Sequence, residues 1–366
     1  MPYKFIHSIE KLPQLSPDEK AELKSVTDTF EFLSNDYYLS LVNFDDPNDP
    51  IRRIIIPHPD ELSNWGSLDA SHEDIYTKVP GLQHKYRETA LLLVSDACGG
   101  LCRFCFRKRL FIGDGNEIER DVSDGLDYIR EHPEITNVLL TGGDALMLST
   151  GRLEDIIQQI REIEHVKIIR IGTRLPAFYP YRIIEDPGLI DMIHKYSLSD
   201  RRIYFMTHFN HPRELTDLAV QAMYMLRSSG AVTVNQTPII RGVNDDSRTM
   251  AELFKKLSYI GVPPYYIFQC RPVVGNENYA VPVEEAYHVI EGAKGMVSGL
   301  AKRARFTMSH MTGKLEVIAV TGGMTYFKYH QAADIRDIGR VLSFKSNPGA
   351  YWLDDYLARD TLKKAN

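Results

Sequence analysis

The sequence predicts an α/β fold, a partial (β/α)6 barrel of the TIM type with an N-terminal helical and irregular segment and a C-terminal extension. From Thr89 onward, six apolar strand-like runs alternate with six amphipathic helical segments, and no low-complexity linker interrupts them. Such alternation favours parallel strands joined by right-handed crossovers. Six units fall short of the eight of a full barrel, so a partial barrel is expected.

The elements are predicted in chain order. The first thirty residues are polar and carry a helix start at Ser16-Pro-Asp-Glu19, and residues up to about Tyr86 show few strand signals. The predicted barrel strands are 90–95, 137–141, 166–172, 202–207, 232–236 and 265–269. The predicted helices are 121–132, 151–164, 187–196, 213–229, 247–260 and 284–297, and two further strands are expected at 305–308 and 315–320.

The chain is therefore expected to divide into three parts: a wrapping segment (1–88), the barrel (89–300) and a C-terminal extension (301–366). A hydrophobic fraction of 43% and a charged fraction of 25% are typical of a globular protein. The net charge of −6 gives no general attraction to nucleic acid, and no apolar run reaches membrane-spanning length. Without a secretion signal or a disulfide framework, we expect a cytoplasmic protein with neither nucleic-acid nor membrane partners.

Three of the four cysteines, Cys98, Cys102 and Cys105, lie within eight residues, directly after the apolar run 90–94. Three thiolates on one loop can hold three corners of a [4Fe–4S] cluster and leave the fourth iron free to bind a small molecule. The alternative is a zinc site with Cys270 or a histidine as fourth ligand. A zinc site usually has a second C-x-x-C-like pair, which this sequence lacks.

Polar residues follow the other predicted strands, at the edge where barrel enzymes collect their chemistry. The second strand ends at Gly142-Gly143-Asp144, where paired glycines would let a ligand approach and the carboxylate could bind an ammonium, although an ordinary turn would look the same. Later strand ends carry Arg174, His208, Gln236 and Arg271. Several polar strand ends facing one barrel mouth predict a binding site.

The cysteine spacing, with Phe104 before the last cysteine, resembles the radical S-adenosylmethionine enzymes. In that family the open iron is chelated by S-adenosylmethionine, and electron transfer from the cluster yields a 5′-deoxyadenosyl radical. Gly142-Gly143-Asp144 resembles the family motif, usually written GGE, that binds the methionine amino group.

A longer resemblance, over roughly residues 30 to 320, is to the lysine 2,3-aminomutase family. The matching stretches are 46–52, 79–86, 142–146, 170–174, 207–212, 241–245 and 265–270. The resemblance implies an isomerase that uses S-adenosylmethionine and pyridoxal 5′-phosphate for a radical 1,2-amino shift on a small amino acid. It also implies that His208 and Gln236 contact S-adenosylmethionine, that flavodoxin or ferredoxin donates electrons, and that the protein is a homo-oligomer.

The family's pyridoxal phosphate lysine corresponds to Lys314, although the glycine run expected before it is here Ser309-His-Met-Thr-Gly313. Lys85 and Tyr86 match a phosphate-contacting Arg-Tyr pair, while a further family arginine is Thr89 here. Lys314 could instead be a solvated strand-end lysine. Two alternatives therefore stay open: a radical enzyme without pyridoxal phosphate that modifies a peptide or small molecule, and a non-enzymatic iron–sulfur or zinc protein.

The resemblance also bears on the substrate. Arg107 would bind its α-carboxylate, while two family aspartates that bind the distal ammonium of lysine are replaced by Arg271 and Thr307. An ammonium beside Arg271 would be repelled, and an unpaired buried charge costs about several kcal/mol. We therefore expect free lysine to be rejected and an acidic amino acid such as glutamate to be preferred. The alternative is that Arg271 pairs with a protein carboxylate, such as Glu277, and never meets the substrate.

Overall fold

The computed structural model describes residues 4–112, 117–118 and 120–364, with side chains described up to residue 359. Its β-strands, numbered in chain order, are β1 (Phe5–Ile6), β2 (Ser34–Asn35), β3 (Thr77–Val79), β4 (Leu82–Tyr86), β5 (Thr89–Ser95), β6 (Asn137–Gly142), β7 (Ile168–Thr173), β8 (Ile203–Thr207), β9 (Val232–Pro238), β10 (Pro264–Phe268), β11 (Arg305–His310), β12 (Gly313–Thr321), β13 (Met324–Ala332) and β14 (Val341–Lys345).

The α-helices are α1 (Pro17–Thr29), α2 (Asp36–Leu39), α3 (Pro50–Ile55), α4 (Ser123–Glu131), α5 (Thr150–Arg161), α6 (Leu175–Phe178), α7 (Tyr181–Ile184), α8 (Pro187–Tyr196), α9 (Asp217–Ser228), α10 (Ser247–Tyr259), α11 (Val283–Gly295) and α12 (Leu353–Lys364). The start predicted for α1 is confirmed, because Ser16 caps it and Glu19 completes a capping box.

A single sheet carries β3 to β14 in sequential order. The strands β5 to β11 run parallel to one another, whereas the strands at both edges of the sheet pair antiparallel. Among the described strands no backbone pairing joins β14 to β3, so the barrel is open. The α/β class and the partial barrel are therefore confirmed.

Two local expectations were wrong. Residues before Thr89 do contribute strands to the sheet, because β4 pairs antiparallel with β5, and its residues Leu82 and Gln83 are buried there. The C-terminal extension adds four strands where two were expected, and its first strand continues the parallel order. One sheet thus crosses both predicted boundaries, and the division at residues 88 and 300 stays a prediction.

The helices pack their apolar faces on the sheet. In α5 the buried residues Leu153, Ile156, Ile157 and Ile160 recur at helical spacing, and Ser149 caps the helix start. They belong to the same core as the sheet residues. Burial of each such side chain contributes roughly 1.5–3 kcal/mol to the stability of the fold. This packing holds the strands in place and, with them, the polar residues at their ends.

Side chains bridge the gap between the two arms of the open barrel. The Ser71 hydroxyl donates to the carbonyl of Ser309 (2.9 Å), the Tyr76 hydroxyl to that of Met311 (2.8 Å) and the Lys85 ammonium to that of His310 (2.5 Å). We call these three bonds the seam. They link the segment before β5 to the end of β11 without a backbone ladder.

No helix among the described residues combines the length and apolar character needed to cross a bilayer.

Candidate active site

One cavity of about 320 Å³ opens inside the barrel, within the size range of small-molecule sites. All thirteen side chains or backbone positions predicted from the sequence line it: Cys98, Cys102, Cys105, Gly142, Gly143, Asp144, His208, Gln236, Lys85, Tyr86, Lys314, Arg107 and Arg271. Thr307 does not line it and is fully buried, with a hydroxyl that has no hydrogen-bond partner among the described residues.

The N-terminal segment holds the cysteine loop that follows β5. The backbone N–H of Leu101 donates to the carbonyl of Leu33 (2.9 Å), and that of Arg103 donates to the carbonyl of Ile54 (3.0 Å). The Arg103 guanidinium forms a fully buried salt bridge with Glu61 (2.8 Å). The loop is thus anchored by Leu33, Ile54 and Glu61, none of which lines the cavity.

The thiols of this loop face hydrogen-bond donors. Arg174 Nη1 lies 2.9 Å from Cys102 Sγ, and the backbone N–H of Arg107 lies 3.4 Å from Cys105 Sγ. Burial raises the pKa of Cys102 to about 11, so a metal charge is needed to keep the thiolate.

Among the described residues, no three His, Cys, Asp or Glu side chains are arranged to hold a single ion, so the zinc alternative finds no ligand set. Cluster thiolates bind different irons and need no such convergence. Three thiolates, of which those of Cys102 and Cys105 face N–H donors, form a donor set that fits a [4Fe–4S] cluster, in which such bonds tune the reduction potential.

The glycines after β6 serve the protein's own packing. At Gly142 (φ +118°) a Cβ atom would lie 2.4 Å from the carbonyl oxygen of Ser95, and at Gly143 it would lie 2.5 Å from that of Ala97. The close approach that requires glycine is therefore between two strand-end loops. Both glycines nevertheless line the cavity.

Asp144 accepts three hydrogen bonds, from Leu146 N (3.0 Å), Arg174 N (2.6 Å) and Thr173 Oγ1 (3.0 Å). Burial raises the pKa of this carboxyl to about 6, against the effect of those donors. A carboxylate offers about four acceptor positions, so one remains for an ammonium in the cavity.

His208 and Gln236 come from neighbouring strands, and their Nε2 atoms lie 2.7 Å apart. Burial, with Arg174 and Arg107 nearby, lowers the pKa of His208 to about 3, so its ring is neutral. A neutral imidazole and an amide offer directed hydrogen bonds to an uncharged ligand group.

One carboxylate ties three arginines together at the substrate side of the cavity. Glu73 accepts from Arg271 (3.1 Å), Arg107 (3.3 Å) and Arg109 (2.6 Å). Although burial acts to raise it, the pKa of Glu73 is lowered by these arginines. Arg271 also stacks on Phe106, with Cζ 3.9 Å from the ring centroid.

The expected pairing of Arg271 with a protein carboxylate is confirmed, but the partner is Glu73 and not Glu277. Glu277 accepts a hydrogen bond from Ser63 instead. Arg271 also lines the cavity, and its one hydrogen bond to another described residue runs through Nη1, so its other N–H groups are available there. That Arg271 never meets substrate stays a prediction of the alternative.

Lys314 lies on β12 with its ammonium 4.2 Å from the centroid of the Tyr266 ring. Burial, then Arg170, Arg271 and Lys85, lowers its pKa to about 7. It is not the solvated strand-end lysine that the sequence left open. A half-buried amine with a pKa of about 7 can attack an aldehyde in its neutral form, so the residue fits the role of a pyridoxal phosphate lysine.

The profile of the radical SAM superfamily matches residues 92–254. The "Putative L-lysine 2,3-aminomutase" of Aquifex aeolicus is 51% identical over 354 residues, which cover 96% of this chain and 95% of that protein. The L-lysine 2,3-aminomutase of Clostridium subterminale is 41% identical over 80% of this chain and 71% of its own length. The chain belongs to the lysine 2,3-aminomutase family of radical S-adenosylmethionine enzymes.

Members of the lysine 2,3-aminomutase family are isomerases, and this chain is accordingly a radical aminomutase; the superfamily implies a [4Fe–4S] cluster and S-adenosylmethionine. The similarity extends to relatives with another substrate in their names. The glutamate 2,3-aminomutase of Clostridioides difficile is 36% identical over 81% of this chain and 69% of its own length. Membership therefore leaves the substrate open.

Sequence reasoning missed three residues of this aminomutase site, which are Glu73, Arg170 and Tyr266. Arg174, which directly follows β7, was found from its strand-end position. Arg170 and Tyr266 lie inside strands, where their faces could not be assigned. Glu73 had no signal, because its arginine partners are 34 to 198 residues away.

Proposed function

We propose that the chain catalyses a 2,3-amino shift on an acidic amino acid, glutamate first, and does not accept free lysine. The observation that carries this proposal is the guanidinium of Arg271, which lines the cavity with its side chain 18% exposed, at a position where a lysine enzyme needs a carboxylate. We further propose that pyridoxal 5′-phosphate is retained, with Lys314 as its lysine.

When bound, the cluster and S-adenosylmethionine supply a hydrogen-abstracting carbon radical, and pyridoxal phosphate carries the amino group between neighbouring carbons. The chain's residues bind and orient. Cys98, Cys102 and Cys105 would hold three irons, and Asp144 has an acceptor position for the methionine ammonium. Enclosure by the barrel excludes water from the radical.

Charge favours an acidic substrate. Arg107 would take the α-carboxylate, and the free N–H groups of Arg271 would take the distal one as a fork. Glu73 cannot offer lysine a comparable partner, because its oxygens are already shared by three arginines. The distal ammonium of lysine would lie near the guanidiniums of Arg107 and Arg271, and the one carboxylate there, that of Glu73, is already bound to arginines.

The test is anaerobic reconstitution with reductant, followed by a screen of lysine, glutamate and aspartate for β-amino products. We expect product from glutamate or another acidic amino acid. Because Thr307 lies outside the cavity, the variant is Arg271→Asp alone, which should move the preference toward lysine, whereas the same charge change at the surface residue Arg336 should leave it unaltered. Turnover of lysine by the wild type, with acidic amino acids inert, would contradict the substrate proposal and leave the family membership intact.

We also propose that the electron donor is a flavodoxin or ferredoxin, that the assembly is a homo-oligomer, and that the protein works in the reducing cytoplasm. The oxygen sensitivity of an exposed cluster iron supports the reducing cytoplasm, and the resemblance to the family supports the electron donor and the homo-oligomer.

A further inference from the structure

Three basic side chains from three separate strands face the same part of the cavity. They are Lys85 on β4, Arg170 on β7 and Lys314 on β12, and we call them the basic cluster. Their recorded polar contacts are the side-chain oxygen of Asn137 for Arg170 and the carbonyl of His310 for Lys85. Aromatic rings complete the surroundings of both lysines. None of these contacts is a carboxylate.

Neighbouring positive charges lower the pKa values of the two lysines in the basic cluster. After burial, Arg170 is the largest cause of the lowered pKa of Lys314, and Lys85 contributes to it as well. Burial, then the charge of Arg271, lowers the pKa of Lys85 to about 8, with partial relief from Glu73 and Asp69. Like charges held together without a counter-charge cost free energy, and an anion between them would remove that cost.

The position of Arg170 leaves the two Nη groups of its guanidinium available to a ligand. Its Nε donates to Asn137 Oδ1 at 2.8 Å, and no acceptor for its two Nη groups is recorded among the described residues. Asn137 is the register partner of Thr89 in the neighbouring parallel strand. The guanidinium therefore reaches the level of Thr89, the position where the resemblance places an arginine in other members.

We propose that Arg170 is the guanidinium of a phosphate-monoester site in this cavity, completed by Lys85 and set beside Lys314. The ligand class is an aldehyde that carries a phosphate monoester, and the inference rests on the proposed use of pyridoxal phosphate. A guanidinium fork matches two phosphate oxygens, and Lys85 adds a second positive charge for a dianion. Arg170 thus supplies the cation that Thr89 cannot.

The test compares two ligands that differ only in the phosphate. Cluster-reconstituted protein freed of pyridoxal phosphate is titrated with pyridoxal phosphate and with pyridoxal, and the visible absorbance of the lysine-bound aldehyde reports binding. Arg170→Gln should weaken the affinity for pyridoxal phosphate about 10- to 100-fold, the range for a lost charged hydrogen bond, and leave that for pyridoxal unchanged. Arg170→Lys should recover part of the loss. Arg305→Gln is the matched control, because Arg305 pairs with Glu316 outside the cavity.

Equal affinities of wild type and Arg170→Gln for pyridoxal phosphate would overturn the assignment, and so would equal weakening of both ligands, which indicates a structural role. A second measurement needs no variant: inorganic phosphate should compete with pyridoxal phosphate but not with pyridoxal. Absence of such competition would also overturn it. If the wild type binds neither aldehyde, the proposal that the protein uses pyridoxal phosphate is itself wrong. If the wild type and Arg170→Gln bind pyridoxal phosphate equally well, only the role of Arg170 is wrong.

Discussion

The cysteine loop and the basic cluster treat charge in opposite ways. Around the loop, each buried arginine has a carboxylate: Arg103 pairs with Glu61 at 2.8 Å, and Arg174 pairs with Glu214 at 2.7 Å. In the basic cluster the contacts are an amide, a carbonyl and aromatic rings. Charges balanced within the chain fix a scaffold, whereas charges left unbalanced keep a place for a ligand. The variants below separate these two uses of charge.

The largest expected effect is at the thiols. Cys98→Ala should lose the cluster and, with it, all reductive cleavage of S-adenosylmethionine to methionine and 5′-deoxyadenosine. Cys270→Ala should keep both, because Cys270 is buried with its sulfur near the Arg271 carbonyl. Iron content after anaerobic reconstitution is the measurement. A full cluster in Cys98→Ala, or its loss in Cys270→Ala, would show that the ligand assignment is wrong.

Lys314→Ala should affect the other region alone. We expect the visible absorbance of bound pyridoxal phosphate and the amino shift to be lost, because the amine that attacks the aldehyde is gone. Iron content and cleavage of S-adenosylmethionine should persist. Absorbance that survives in Lys314→Ala would show that Lys314 is not the pyridoxal phosphate lysine, whereas a wild type without this absorbance would favour the alternative of a radical enzyme without pyridoxal phosphate.

Breaking a balanced pair should cost stability. Glu61→Ala leaves Arg103 and Lys108 buried without their shared carboxylate, so we expect a loss of about 3–5 kcal/mol in the free energy of unfolding. The control is Asp28→Ala, which removes the exposed pair with Lys24 and should leave the denaturation midpoint almost unchanged. Equal denaturation midpoints for the two variants would show that the pairing of Glu61 with Arg103 and Lys108 does not stabilise the fold.

The smallest effect concerns pH. Because the folded pKa of Lys314 is about 7 and its neutral form is the nucleophile, the rate of pyridoxal phosphate capture should rise about tenfold from pH 6 to pH 8 and then level off. Stopped-flow absorbance measures this rate. Arg170→Gln should move the midpoint upward, since one neighbouring cation is removed. A wild-type rate still rising at pH 9 would place the amine in an ordinary environment.

Much of the fold follows from local pattern. The helix predicted at 187–196 has those bounds, and each barrel strand lies within two residues of its predicted position, because apolar periodicity is a local property. The strands β3 and β4 were missed for the converse reason. Thr77–Val79 and Leu82–Tyr86 contain polar residues on a sheet edge, where the pattern is weak.

The site divides in the same way. Residues at strand ends, such as His208 and Arg271, could be placed because parallel strands end at one edge. The role of Arg271 depended on a partner 198 residues away, and no spacing rule connects Glu73 to it. Gly142 and Gly143 were found at the end of β6, but a second reason for glycine there was not, because only the folded chain shows Ser95 and Ala97 against them.

The seam between the arms of the barrel has a dynamic consequence. Three side-chain hydrogen bonds of about 0.5–1.5 kcal/mol each and the ion pair of Glu73 with Arg271 hold this edge, whereas backbone ladders join the neighbouring strands from β3 to β14. The contacts of the seam should therefore open at a free energy far below that of global unfolding. In native-state hydrogen exchange, amides of residues 71–76, which precede the ladders of β3, β4 and β5, should exchange through this local opening, while those of β6 to β9 should wait for the whole sheet to unfold.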